Sequence, residues 1–161
     1  MLELIINNFE KIIGAILTGV FGGYIAYRTY RKTRFNQAAA TFHTKVLTEL
    51  EGLYPIPTKW PTEKMMIDRI LKEKFPKLQI AVTEFKEFLP RSQQADFDKA
   101  WFIYRLGKDG REIDEQCYYD YMPFISTSII DGVQITVDTT ETHKETFKHN
   151  VDALLSFSKF T

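Results

Sequence analysis

Three histidines, one cysteine and a cluster of carboxylates are the side chains of this 161-residue chain whose types could do chemistry, and their spacing limits what that chemistry is. His143 and His149 stand six apart. At about 100° per residue on a helix they are separated by roughly 240°, so they lack the shared face with which an i, i+4 pair grips one metal ion. Solvated surface positions are expected for both. Asp109, Glu112, Asp114, Glu115 and Asp120 fall in one stretch, but without the one-three-five ligand spacing and central glycine of a calcium loop, and read as solvated loop charge. Cys117 has no second cysteine to pair with, which excludes an intrachain disulfide and a thiolate zinc site and fits a reducing compartment. Gly107-Lys108-Asp109-Gly110 reads as a turn, since no strand precedes it to make a phosphate cradle. No catalytic residue, metal or cofactor is assigned from these patterns.

Aromatic residues with polar tips are the remaining candidates. Trp60, Tyr104, Tyr118, Tyr119 and Tyr121, with Arg105 and Arg111 near them in sequence, are expected to form a ligand or partner surface, because such rings cost free energy to bury unless their polar atoms find partners. Trp101 lies on a helical apolar stripe and is expected in the core.

The elements that position these residues begin with the run Ile12 to Tyr27, sixteen residues without a charge, followed by Arg28, Arg31, Lys32 and Arg34. A helix of that length covers roughly 24 Å, short of the ~30 Å hydrocarbon core. Tyr24, Tyr27 and Tyr30 suit a membrane interface, and Arg28 can snorkel to extend the span. Glu3 and Glu10 precede the run and the basic cluster follows it, the reverse of a signal peptide. By the positive-inside rule the sequence predicts a single-pass inner-membrane anchor over residues 1–34, with residues 35–161 cytoplasmic. Ala15, Gly19 and Gly23, with Gly22 and Ala26 one step round, place small residues at intervals of four, the pattern of close helix association. Residues 1–35 carry five basic and two acidic side chains. The rest carries sixteen and nineteen, a balance that argues against a broad nucleic-acid surface.

Beyond the basic collar, Phe35, Ala38, Ala39, Phe42, Val46 and Leu50 keep helical spacing, and no Pro or Gly separates them from the apolar run, so one helix is predicted over about residues 10–51. Further helices are predicted over 62–74, from Pro76 to Leu89, from Ser92 to Gly107, and from Thr139 or Thr140 onward, with a short strand or extended loop at 133–137. The predicted fold is all-α: a transmembrane helix continuing into a four- or five-helix bundle.

Arg34-Phe35-Asn36-Gln37-Ala38-Ala39-Ala40-Thr41-Phe42, together with Ala81–Phe85, Phe97–Trp101 and Leu154–Lys159, resembles segments of small, uncharacterised bacterial membrane-anchored proteins. The layout also resembles the pore-forming CRISPR accessory membrane proteins. Those resemblances imply one amino-terminal span, a cytoplasmic helical domain and, for the second group, an oligomeric pore in antiviral defence. Some of that group carry a form of the Arg-x4–6-His motif of helical nucleases. Arg34 and His43 stand nine apart here, on opposite faces of a helix, and no other Arg precedes a His at the required spacing. Three functions are therefore carried forward: a self-associating interaction or sensing module bound to a lipid bilayer and a cytoplasmic protein, a membrane-tethered enzyme acting on nucleotides or RNA, and a soluble oligomeric ligand-binding module.

Overall fold

The first proline is Pro55, and nothing before it forbids a helix. In the computed structural model, which describes residues 2–63, 66–108, 118–130 and 133–159 and side chains from residue 18 on, Ile130 excepted, helix α1 runs Leu2–Glu49. It closes where Gly52 adopts a φ of 81°, with the Lys59 amide donating to the Gly52 carbonyl at 2.8 Å. Two compact units are present, Met1–Gln37 and Ala38–Thr161, and each is described by itself.

In the second unit, Ala39, Phe42, Val46 and Leu50 recur at three- and four-residue intervals and are all buried. Helix α2, Met66–Lys86, buries Ile67, Leu71, Leu78, Ala81, Val82 and Phe85. Two helices divided at Pro76 were predicted there, and the structure joins them. An interior proline costs about 3 kcal/mol through its missing N–H and its ring clash. Apolar residues on both sides of Pro76 face the same core, and their burial offsets that cost. Helix α3, Arg91–Leu106, buries Phe97, Trp101 and Tyr104 and starts behind Pro90 rather than at a Ser92 cap. It ends at Gly107, whose φ of 77° and whose Cβ, if it had one, would meet the Asp120 carboxylate; only glycine fits there. A 3-10 turn at Tyr118–Tyr121 precedes strands β1, Ile125–Ile130, and β2, Val133–Asp138, and helix α4 spans Thr140–Ser156.

The core is aromatic. Phe42 stacks on Phe85 at 4.5 Å and 6°, Phe97 meets both rings edge-on, and Phe157 meets Phe97 at 5.3 Å. Such pairs add to the burial of their area. Helices α3 and α4 are antiparallel, because Phe97 reaches Phe157 at one end while Tyr104 reaches Phe147 at the other. Lys45–Glu84 and Lys77–Glu49 link α1 to α2, and Lys86–Asp98 links α2 to α3, all at the surface.

Two expectations are corrected. Among the described residues no helix is long and apolar enough to cross a membrane, which overturns the transmembrane, single-pass anchor. Thr18, Gly19, Gly22, Gly23 and two tyrosines, Tyr24 and Tyr27, dilute the apolar content of the described part of the run, and Arg28 closes it. Nor is the fold all-α: β1 and β2 form an antiparallel hairpin, with Ser126 opposite Val137 and Ser128 opposite Ile135. The predicted strand at 133–137 therefore has a partner, separated from it by only two residues, Asp131 and Gly132, a dipeptide that favours hairpin turns.

Candidate functional site

In the first unit, α1 carries large apolar side chains that no other described residue of that unit covers. Val20, Phe21, Tyr24, Ile25, Tyr27 and Tyr30 are each 59–65% exposed. Taking about 100° per residue, Val20, Phe21, Tyr24 and Ile25 span one arc of roughly 140°, while Gly19, Gly22, Gly23 and Ala26 fill an arc of roughly 100° on the opposite side. Space around the three glycines is open: a Cβ at any of them would meet nothing within 4 Å. Ala15 lies on α1 but outside the residues whose side chains are described. The helix thus has a bulky side and a notched side. Contiguous exposed apolar surface of this kind marks an interaction site.

The basic collar follows on the same helix. The Arg31 guanidinium lies 5.9 Å from the Tyr27 ring centre and that of Arg34 lies 5.7 Å from Tyr30, two i, i+4 cation–π contacts. Arg28, Lys32 and these partners are all exposed. The residues expected at a membrane interface thus spread over about 200° of the helix, with no spanning helix among the described residues to anchor.

The aromatic set expected on a surface is divided. Tyr104, Tyr118 and Tyr121 are buried, Trp60 and Arg105 are half-buried, Tyr119 is exposed, and Arg111 lies outside the described residues. The Tyr121 hydroxyl donates to the Tyr104 carbonyl at 2.8 Å and accepts from the Asn150 amide at 2.9 Å. Burial pushes the phenols of Tyr104, Tyr118 and Tyr121 well above the usual tyrosine value, since a phenolate would lose its hydration there. Arg105 lies over the Trp101 and Phe75 rings at 5.5 and 5.9 Å, and the Trp101 indole donates to Gln79 at 3.0 Å. This is a stacked aromatic core running from Phe75 through Trp101 to Tyr104, in which the Tyr104 and Tyr118 hydroxyls have no hydrogen-bond partner among the described residues.

A cleft of about 320 Å³ opens between α3 and α4. Asp96, Lys99, Ala100 and Ile103 line it from one face of α3, and Asn150, Ala153, Ser156 and Phe157 from α4, with His149 and Lys108 at the rim. The antiparallel packing puts Lys108 and His149 at one end and Asp96 at the other, over an apolar floor. That combination suits a small ligand with an apolar body and an anionic group. Sequence inspection did not assign Lys99, Lys108 or Asn150 to a site. The only linear signal was the i, i+3, i+4, i+7 spacing of the α3 residues. His43 is exposed on α1, and the His143 Nδ1 donates to the Asp120 carbonyl, so the three histidines serve three separate environments. Among the described residues no group of three His, Cys, Asp or Glu side chains is placed to hold a metal. Cys117 and the acidic residues from Asp109 to Glu115 lie outside the described residues.

Comparison with protein families, curated proteins and solved structures gave no match in any of the three.

Proposed function

We propose that this chain is a self-associating helical interaction module in which α1 is the assembly element. One observation carries the reading: Val20, Phe21, Tyr24 and Ile25 stand about three-fifths exposed along a regular helix. Covering each of those side chains stabilises an assembly by about 1–2 kcal/mol. The notched side formed by Gly19, Gly22, Gly23 and Ala26 supplies the complement, because small residues let a second backbone approach closely. Bulky and notched arcs lie on opposite sides of the helix. Bulk against notch is then a heterologous contact, which generates a ring if its rotation closes and a filament if it does not.

Sedimentation velocity of the full chain tests this reading. A species larger than the monomer is expected, reduced to monomer by Phe21→Asp with Ile25→Asp, and separately by Gly22→Leu with Gly23→Leu. Circular dichroism of each variant monitors retention of the helical signal. A monomeric parent chain would remove the basis of the proposal.

A second reading is favoured by the α3–α4 cleft. Lys99 and Lys108 both line it and make no ion pair among the described residues, which is also true of Lys32, Lys74 and Lys159 elsewhere; Lys99 and Lys108 alone of these five lie on the cleft. Cations left free beside an apolar floor suit capture of a small organic anion, which would make the module a sensor. Thermal-shift screening of nucleotides and aromatic carboxylates against the parent and a Lys99→Ala, Lys108→Ala variant tests it. Stabilisation of the parent alone is the expected result.

A further inference from the structure

The β1–β2 hairpin has no counterpart in the assembly just described, and its surface is unusual in its own way. Every residue of β2 is exposed, and Ile125, Ile129, Val133, Ile135 and Val137 stand between 42% and 75% exposed. A two-stranded hairpin is marginal in water unless a third strand or a packed face supports it. This one is fixed at its base, where the Phe124 amide donates to the Thr139 hydroxyl at 2.9 Å and the Thr139 amide donates to the Phe124 carbonyl at 3.1 Å. No third strand is present among the described residues, so both outer edges are unpaired there.

Register shows what is missing. Val137 and Ile135 lie opposite Ser126 and Ser128 on one face, and Ile129 and Ile125 lie opposite Gln134 and Asp138 on the other. Each of these four side chains faces a polar partner inside the hairpin, and only Val133 is set opposite another apolar residue, Ile130. A second β2 laid antiparallel beside the first, centred on Ile135, would set Ile135 against Ile135 and Val133 against Val137, with all six side chains on one face. Apolar β-branched cross-strand pairs are worth some tenths of a kcal/mol to about 1 kcal/mol each. Charge agrees with that arrangement. Asp138 is the only charged residue in either strand, and antiparallel pairing puts the two copies of it at opposite ends, whereas parallel pairing would set them side by side. Edge strands that must stay single are usually protected by charges, proline or a bulge, and β2 has no proline and no charge before its last residue.

We infer that the outer edge of β2 is a second self-association surface, pairing antiparallel with β2 of another copy to make a four-stranded sheet in the order β1-β2-β2-β1. A six-residue strand edge is small beside a standard specific interface, so the contact is weak alone and is tightened when another surface holds the copies together. It does not depend on α1, and the two surfaces fail independently.

Disulfide trapping in the full chain tests the pairing. With Cys117→Ser removing the native thiol, Ile135→Cys puts two thiols face to face on the proposed axis, and Ile129→Cys puts them on β1, away from it. Under mild oxidation the Ile135→Cys chain is expected to form covalent dimer about a hundredfold faster than the Ile129→Cys chain. The same preference is expected with Phe21→Asp and Ile25→Asp added, at a lower absolute rate. Equal rates at the two positions, or no dimer from either, would overturn the inference, with circular dichroism confirming that each variant is folded. A preference for Ile135→Cys that persists while the α1 variants leave sedimentation unchanged would overturn the α1 proposal alone. Ile135→Lys gives an independent check: it sets two cations together on the axis and is expected to abolish hairpin pairing, whereas Ile129→Lys is not.

Discussion

Phe21 and Phe42 lie on the same helix, twenty-one residues apart, and meet opposite environments: Phe21 is 65% exposed and Phe42 is 1% exposed, stacked on Phe85 and edged by Phe97. Helix propensity and sequence continuity are common to both. What differs is whether the chain supplies the cover. Around Phe42 three further elements bring aromatic rings to the same place. Around Phe21 the apolar arc is intact and no described side chain of its own unit covers it, which is the ground for proposing that its cover comes from another molecule. One helix is thus buried in a core at one end and exposes an apolar arc, the proposed assembly element, at the other.

The sharpest way to break that comparison is to make the same substitution at both rings. Phe42→Ala is expected to cost about 3–5 kcal/mol of stability, read as a lower thermal or denaturant midpoint, because it leaves a cavity in a close-packed core. Phe21→Ala is expected to leave that midpoint unchanged in dilute solution and to weaken association instead. Equal losses at both sites would erase the distinction. Gly107→Ala follows, with an expected cost of about 1–3 kcal/mol from the positive φ and the neighbouring Asp120 carboxylate. Tyr121→Phe is expected to cost about 1–3 kcal/mol, since it leaves the Asn150 amide without an acceptor and the Tyr104 carbonyl without a donor inside the core.

Alkaline pH should separate the two regions with a smaller effect. Burial, then the hydrogen bond to Asp152, raises Tyr54 to about 12, and burial raises Tyr104, Tyr118 and Tyr121 further. A group whose folded value is raised contributes stability that is complete below its unfolded value near 10 and is lost as pH climbs through the folded value. Ala38–Thr161 should therefore weaken progressively above pH 10, followed by denaturant midpoints. Tyr54→Phe, which deletes the phenol bonded to Asp152 at 2.6 Å, should remove part of that dependence. At the acid end Asp152 has the opposite sign. Its burial acts to raise it, but the hydrogen bonds from Lys148 and Tyr54 prevail and hold it below the usual carboxylate range. Its contribution is present above the unfolded value near 4 and is lost as pH falls through the folded one.

The helical stripes were legible in the sequence because each buries one face: Phe42, Val46 and Leu50 on α1, Phe97, Trp101 and Tyr104 on α3, and Phe147, Val151, Leu154 and Leu155 on α4 carry the period in their residue types. The continuity of α2 through Pro76 was not, because a local rule about proline was overridden by packing on both sides of it. Strand β1 was hidden by Ser126, Thr127 and Ser128, which carry no apolar alternation; the two-residue gap at Asp131-Gly132 was the sign that a strand stood before β2. The tyrosines looked like surface residues because what buries them is remote in the chain: the Tyr121 hydroxyl is satisfied by Asn150 and by the Tyr104 backbone, whereas Tyr104 and Tyr118 are held by ring packing with their hydroxyls unpaired among the described residues, and no linear pattern announces any of this. For the same reason the cleft escaped notice, its two walls lying some fifty residues apart in the chain. The exposed arc on α1 was visible as an apolar run, and its notched side as a spacing of small residues, but a run of that kind does not by itself tell lipid from protein as its cover.

Complementation between two defective chains tests the assembly role of α1 most directly. Phe21→Asp with Ile25→Asp spoils the bulky side and keeps the notch; Gly22→Leu with Gly23→Leu spoils the notch and keeps the bulky side. Each variant alone should be monomeric through α1, and an equimolar mixture, read by native mass spectrometry, should give a heterodimer containing one copy of each. A mixture that stays monomeric while the parent chain associates would contradict bulk-to-notch packing, and a parent chain that is itself monomeric would contradict the assembly role of α1.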